Sequence, residues 1–160
     1  MPTPTYTSLG TITLASTDSE IVFSSIPATY RDLIVVATFA YSTDAPVLVK
    51  LNGDGTAGNY TGVFMRGFAT TSVDSSTVSN NISYMTNGNY QNYLQFSVMD
   101  YSATDKHKTM LVRDQFLQGI GNQVTAKALR WANTAAVNSV GLNVSTSFGI
   151  GSTFSLFGVA

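Results

Sequence analysis

The stretch that decides the fold is Phe148-Gly-Ile-Gly-Ser-Thr-Phe-Ser-Leu-Phe-Gly-Val-Ala160. A glycine-serine turn starts it, and the residues that follow alternate between the two faces of an extended segment. Phe154, Leu156 and Gly158 fall on one face, whereas Phe157 falls on the other. A segment of this kind must insert into a sheet that earlier strands have prepared. The stretch therefore predicts a closed, non-local β architecture.

The composition predicts one domain that carries little charge. A chain of 160 residues that is 44% hydrophobic has enough apolar residues for the core of a single domain. Charged residues make up 11% of it, against a usual share of about 25%, and the net charge is -1. This low charge cannot supply the counterion release on which nucleic-acid affinity depends, so we expect no nucleic-acid partner. The longest apolar run is far shorter than the roughly 20 residues of a membrane helix, so we expect no membrane partner either.

Apolar residues alternate with polar ones in about eight short segments that turn residues separate. The segment 32–40 is rich in β-branched residues and predicts a central strand, and Gly10 predicts a β-bulge. The segment 124–132 has a composition that favours a helix, but its neighbours are β, and we predict a strand there. The Ser- and Thr-rich segment 69–81 predicts a long surface loop. The pattern as a whole predicts an all-β protein, an antiparallel two-sheet β-sandwich with the topology of a jelly roll.

Two prolines near the start of the chain predict an extended arm. Pro2 and Pro4 fix their own backbone and cannot donate to a sheet. We therefore expect residues 1–8 to form an arm ahead of a single sandwich domain over residues 9–160. An arm of this kind suits contact with another protein, and the expected interface residues are Pro2, Pro4 and Tyr6.

The sequence holds few side chains that could carry chemistry. The single histidine, His107, lies between two lysines and suits a solvated turn. No cysteine is present and Glu20 is the single glutamate, so nucleophile–base pairs and paired carboxylates have little to draw on. The segment 52–59 begins Asn-Gly-Asp-Gly and predicts a tight turn between strands, with a weak cation site as the alternative. We expect no enzyme, no catalytic residue, no metal and no cofactor.

The most site-like cluster combines tyrosines with side-chain amides. Aromatic faces beside amides suit sugar recognition, because a pyranose ring offers an apolar face and a rim of hydroxyl groups. The alternative is a hairpin tip whose aromatic rings pack inward. Base stacking on the tyrosines is disfavoured because Lys and Arg do not cluster nearby. The candidate residues for a ligand or interface loop are Tyr84, Asn87, Asn89, Tyr90, Asn92 and Tyr93.

Four stretches that follow one another along nearly the whole chain carry a family resemblance. They are Ser25-Ile-Pro-Ala-Thr-Tyr-Arg-Asp-Leu33, Leu51-Asn-Gly-Asp54 followed by Asn59-Tyr60, Arg130-Trp-Ala-Asn-Thr-Ala-Ala-Val137, and Gly151-Ser-Thr-Phe-Ser-Leu-Phe-Gly158. Together they resemble a broad group of small β-sandwich virion proteins of tailed bacteriophages, particularly phages of cyanobacteria and marine bacteria. The closing stretch is the most distinctive of the four.

The resemblance implies a jelly-roll-like module, found either on capsid surfaces as a decoration or cement protein or at the tips of tail fibres. We expect the first, a structural protein that binds the outer surface of the shell as an oligomer, with a homotrimer expected. Its partners are then the major capsid protein and copies of itself, and it is made in the host cytoplasm and carried on the particle surface. The alternative is the receptor-binding tip of a tail fibre, which recognises a host surface glycan. The family brings no catalytic residues.

Overall fold

Twelve β-strands make up the regular structure, apart from a short 3-10 turn at Ala57–Asn59, in the parts of the chain that the computed structural model describes, which are residues 4–40, 45–68, 72–85, 91–118 and 121–160. No helix in these parts is long and apolar enough to cross a membrane. The strands are β1 Tyr6–Thr13, β2 Asp18–Phe23, β3 Asp32–Phe39, β4 Ala45–Leu51, β5 Tyr60–Phe68, β6 Ser72–Val78, β7 Asn81–Met85, β8 Asn92–Met99, β9 Lys108–Gln118, β10 Gly121–Trp131, β11 Val140–Phe148 and β12 Thr153–Val159.

The strands form two antiparallel sheets that share one core. The eight-stranded sheet has the order β1-β12-β3-β8-β9-β10-β5-β6, and the four-stranded sheet has the order β2-β11-β4-β7. Their facing sides bury a single apolar cluster. In it, Phe39 and Phe154 of the larger sheet contact Phe148 of the smaller one, with ring centroids 5.5 and 4.9 Å apart. The predicted all-β class and the antiparallel two-sheet sandwich are confirmed.

The closing strand β12 lies between β1 and β3, inside the larger sheet, as its sequence predicts. Phe154 and Leu156 are buried, whereas Phe157 on the opposite face is half-buried. Gly158 also faces inward, and the ring of Tyr30 covers it. A Cβ at this position would lie 2.4 Å from Cγ of that ring. The missing side chain at residue 158 therefore lets Tyr30 close this end of the core.

β1 begins earlier than the predicted arm allows. Residues 6–8, which the prolines assign to the arm, pair with β12. The register shift between Ser8 and Gly10 is the bulge that Gly10 predicts. The described residues ahead of the sheet are thus Pro4 and Thr5. A proline cannot donate to a sheet, and β1 begins at Tyr6, after the last of the two prolines.

The prediction of a surface loop over residues 69–81 is wrong for most of that segment. β6 lies there and pairs with β5 at one edge of the eight-stranded sheet. An edge strand has one free side and needs few apolar residues, and threonine and valine are β-branched, so a polar composition is compatible with a strand. Residues 69–71 lie outside the described part of the chain.

The segment 124–132 is a strand, as predicted. β10 pairs with β9 on one side and with β5 on the other. Its alternate residues from Gln123 to Trp131 are buried, which is a period of two and is incompatible with a helix. The connections differ from the expected hairpins, because β4 and β5 lie in opposite sheets, and so do β7 and β8.

Lys108 is buried at the start of β9 and holds two loops against it. Its Nζ donates to the main-chain oxygens of Ala103 at 2.7 Å, Lys106 at 3.0 Å and Thr134 at 3.3 Å. Burial lowers the pKa of Lys108, and the three carbonyl oxygens take the place of water around the ammonium group. The lysine is therefore a structural cation.

Replacing Lys108 with methionine is expected to lower the free energy of unfolding by about 2–4 kcal/mol, because the carbonyl oxygens lose their donor while the apolar stem is kept. Urea unfolding of both chains measures the difference. Lys106→Met is the control: this side chain is 52% exposed and bonds Asp100 at 3.3 Å, so its loss is expected to change the free energy by less than about 1 kcal/mol. Equal losses in the two variants would contradict the structural role.

Candidate docking surface

The outer face of the eight-stranded sheet is the side turned away from the four-stranded sheet. Alternate residues of each strand point to it, and they are exposed or half-buried. In antiparallel sandwiches such a face is normally polar. Among the described side chains on this face, the charged ones are Asp32, Arg113 and Arg130. So little charge is unusual for a sheet face in contact with water.

Four large side chains form what we call the apolar patch on this face. Val63 and Met65 of β5 are 56% and 62% exposed, Val124 of β10 is 61% exposed, and Leu111 of β9 is 50% exposed. These three strands are neighbours in the sheet, and the register places Ala128 between Val63 and Leu111. Contiguous apolar surface of this kind marks sites where proteins bind other molecules.

The patch continues across the sheet as a row of mostly apolar side chains. From Leu111 the register leads to Ser97 on β8, then to Ile34 on β3 and to Phe157 on β12. The row therefore crosses six strands, from β5 to β12.

Small residues leave two shallow depressions in the outer face. One, of about 380 Å³, lies around Ser97 and Ala126. The other, of about 410 Å³, lies around Gly62 and Ala128. Leu111 borders the first of them. The face thus presents raised and recessed parts to a partner.

The sequence contains a signal for the apolar patch, although the outer face of an antiparallel sandwich is normally polar. Val63-Phe64-Met65 and Met110-Leu111-Val112 are consecutive apolar residues within predicted strands. Successive residues of a strand point to opposite faces, so such runs place apolar side chains on both faces. Met110 and Val112 fill the core, and Leu111 is left on the outer face.

The predicted interface residues at the start of the chain adjoin this face. Tyr6, the first residue of β1, is 59% exposed and pairs with Val159 of β12. Pro4 is exposed as well. Pro2 lies outside the described residues. Tyr6 thus sits at the β1 edge of the outer face, across the sheet from the apolar patch.

The tyrosine–amide cluster is described only in part. Asn92 and Tyr93 begin β8 and point to opposite faces: Asn92 is buried and its Nδ2 donates to the main-chain oxygen of Phe39 at 3.2 Å. Tyr93 is 39% exposed on the outer face, and its hydroxyl donates to Oε1 of Gln95 at 3.0 Å. Tyr84 lies in β7, and its side chain is not described. Asn87, Asn89 and Tyr90 lie outside the described residues.

The segment 52–59 forms a tight turn, the first of its two interpretations. Asp54 accepts hydrogen bonds from Nε1 of Trp131 at 2.7 Å, from Nδ2 of Asn59 at 2.9 Å and from the main-chain N–H of Thr56 at 2.9 Å. These bonds, that of Trp131 first, lower the pKa of Asp54 to about 2. Both carboxylate oxygens are engaged, so Asp54 ties the turn to β10. Within the described residues, no three His, Asp or Glu side chains are grouped so that they could hold a metal ion.

One polar contact that joins the two sheets is not predicted from the sequence. Ser83 of β7 donates from its hydroxyl to Oδ2 of Asp114 on β9 at 2.9 Å, and both residues are buried. Lys127 of β10 is buried nearby: burial lowers its pKa, and the carboxylate of Asp114 opposes that effect. Asp114 and Lys127 occupy inward-facing positions in the alternation of β9 and β10. This alternation is the signal that would have placed both residues in the core.

Comparison with protein-family models, with curated proteins and with solved structures finds no match to the chain.

Proposed function

We propose that this chain is a structural protein of a tailed-phage virion, a capsid decoration or cement protein that binds the outer surface of the shell as an oligomer. The supporting observation is the apolar patch, whose four side chains are 50% to 62% exposed in a single copy. Such a surface is stabilised when another protein surface covers it. The partners are copies of the chain and the major capsid protein, and the protein is made in the host cytoplasm and carried on the particle surface.

The jelly roll belongs to the same proposal, and the strand order supports it. One sheet contains the run β1-β12-β3-β8 and the other is β2-β11-β4-β7, and the chain changes sheet at each step from β1 to β4. A jelly roll is likewise built from eight strands in two sheets, so this order supports the proposal. The remaining strands are two hairpins, β5-β6 and β9-β10, which extend one sheet beyond β8. All four residues of the apolar patch lie on these added hairpins, so the extension creates the docking surface.

A shell suits a binder of this kind because it repeats one site many times. An oligomer that engages several sites at once gains effective concentration, so weak single contacts are sufficient. Pro4 and Tyr6 lie at the β1 edge of the sheet, away from the hairpin β5-β6. Pro4, which lies ahead of β1 and is exposed, can therefore reach the shell from the edge of the sheet.

Electron microscopy of particles with and without the protein tests the proposal. Particles that lack it are expected to lose density from the outer surface of the shell and to release their DNA at a lower temperature. Adding back the purified chain should restore the density, and Tyr6→Ala should restore less of it than Ile150→Ala, a control residue that is 69% exposed elsewhere. Intact shells together with an altered tail would contradict the proposal.

Tyr93 favours a second candidate function, the glycan-recognising tip of a tail fibre. Its ring is exposed beside the side-chain amide of Gln95, which is the pairing that sugar recognition uses. On an array of host surface glycans, the chain is then expected to bind, and Tyr93→Ala to bind more weakly, while Tyr6→Ala binds as the unmodified chain does. An array without signal would contradict this candidate.

A further inference from the structure

We infer that two copies of the chain pair through the outer face of the eight-stranded sheet, about a two-fold axis that runs parallel to the strands between β8 and β9. The occupant of the face is thus a second copy in an isologous contact, in which each copy contributes the same surface. The inference goes beyond the virion role and does not depend on it, because it follows from the register of the sheet.

The axis assigns each outward side chain a counterpart. The line between β8 and β9 leaves four strands on each side. Rotation about this line places β8 over the partner's β9, β3 over the partner's β10, and β12 over the partner's β5. Residues in one lateral row stay in that row, because the axis is parallel to the strands.

The charges on the face are complementary under this rotation. Arg130 pairs with Thr109, Thr109 pairs with Met99, and the register between β3 and β8 continues this row to Asp32. Asp32 and Arg130 lie equally far from the axis on opposite sides. Each Arg130 therefore faces the partner's Asp32, and symmetry makes the contact twice.

The side-chain sizes are complementary as well. In the next row Ile34, Ser97, Leu111 and Ala128 follow one another across β3, β8, β9 and β10. Rotation sets Ile34 over the partner's Ala128 and Leu111 over the partner's Ser97. Within these four central strands each large side chain thus meets a small one, and Leu111 faces the depression around Ser97. Farther out in the same row, Phe157 meets the partner's Val63, an apolar contact.

The remaining charged side chain meets a neutral group. Arg113 and Gln95 share a row on β9 and β8 and exchange places under the rotation. The guanidinium group of Arg113 therefore faces the partner's amide, to which it can donate.

The area of the face matches what a stable pair requires. Eight strands about 4.8 Å apart, each with four outward residues about 6.8 Å apart, cover about 700 Å². A stable protein interface buries about 800 Å² on each partner. One outer face therefore offers nearly the area that each partner of a stable pair buries.

The mass of the purified chain in solution tests the pairing first. Light scattering after gel filtration is expected to give twice the 17.0 kDa of one chain. A two-fold contact closes at two copies, so a three-copy mass, as the resemblance implies, would overturn the inference. A single-copy mass at high micromolar concentration would overturn it as well. Failure of the chain to bind a shell would leave the pairing intact, and the reverse also holds.

Substitutions on the face locate the contact. Val63→Glu and Leu111→Glu are each expected to raise the dimer Kd by about 30-fold or more, because each removes an apolar contact and buries a carboxylate inside the interface. Val22→Glu on β2 and Ile150→Glu before β12 are the controls: these residues are 48% and 69% exposed away from the outer face, and no change is expected. Equal effects at the two sets of positions would overturn the inference.

A double-mutant cycle tests the axis itself. Asp32→Asn removes the charge but keeps the oxygen that accepts a hydrogen bond from the main-chain N–H of Asp100 at 2.8 Å. Asp32→Asn and Arg130→Gln are each expected to raise the dimer Kd by about three- to tenfold. The Kd of the double variant is expected to be no higher than that of the single variant that pairs more weakly. Independent, multiplying effects would overturn the proposed axis.

Chemical crosslinking gives an independent measure of the axis, because the chain has no cysteine of its own. Residue 97 of the two copies would be about 11 Å apart and residue 155 about 26 Å apart, from strand and sheet spacings. A short bismaleimide is therefore expected to join Ser97→Cys chains and to leave Ser155→Cys chains single. The opposite result would overturn the two-fold arrangement.

Discussion

Replacing Gly158 with alanine is expected to lower the free energy of unfolding by about 2–4 kcal/mol, which is at the upper end for an added methyl group in a packed core. The new Cβ would lie 2.4 to 2.7 Å from three ring atoms of Tyr30. This ring cannot move away without exposing the end of the core that it covers. Urea unfolding followed by far-ultraviolet circular dichroism measures the loss.

Gly67→Ala is the matched control for Gly158→Ala. Gly67 also lies within a strand, but it points to the outer face and nothing stands within 4 Å of its Cβ position. Alanine there is expected to change stability by less than about 1 kcal/mol, because glycine itself is unfavourable in a strand. Combining Gly158→Ala with Tyr30→Ala should cost less than the sum of the two single changes. Additive losses would show that the ring is not the obstacle.

Removing the carboxylate of Asp54 is expected to lower the free energy of unfolding by about 2–3 kcal/mol at pH 7 for Asp54→Ala. The variant leaves the N–H of the buried Trp131 ring without its acceptor and frees the turn that Asn59 and Thr56 hold. Asp54→Asn should not rescue this loss. Its amide oxygen can take the place of Oδ2, but its NH2 group would then face the main-chain N–H of Thr56, donor against donor. Asp105→Ala, an exposed aspartate in another loop, serves as the control.

The same carboxylate predicts how stability depends on pH. The pKa of Asp54 falls from 3.8 to about 2 on folding, with the bond from Trp131 as the largest cause. The contribution of Asp54 is therefore complete above about pH 4 and is lost as the pH falls toward 2. The difference in unfolding free energy between the unmodified chain and Asp54→Ala should shrink over that range. A difference that stays constant from pH 7 to pH 2 would contradict the assignment.

Local patterns predicted the strands well where each strand has a strong face. The alternation in the closing stretch correctly gave the buried sides of Phe154 and Leu156, and β-branched residues identified β3. Ser- and Thr-rich β6 was missed because its strand character comes from its neighbour β5 and not from its own residues. The sheet to which each strand belongs could not be predicted either: β4 and β5 have a turn sequence between them, yet they lie in opposite sheets.

The apolar patch could not be predicted from these patterns, for a related reason. Apolar runs such as Val63-Phe64-Met65 require two apolar faces, but the sequence does not say which face another sheet covers. Which face is covered depends on the hairpins β9-β10 and β5-β6, which extend the eight-stranded sheet beyond β8. The tyrosine–amide cluster illustrates the converse: Asn92 and Tyr93 are adjacent in sequence, and the pleat of β8 sends them to opposite sides.

The position of β12 between β1 and β3 has a consequence for how the protein is made. Thr11 and Ser155 share a hydrogen bond across 144 residues of sequence. On the ribosome, β1 must therefore wait for a partner that is synthesised far later, while the apolar side of β3 remains uncovered. Such long-range pairing slows folding to about milliseconds to seconds.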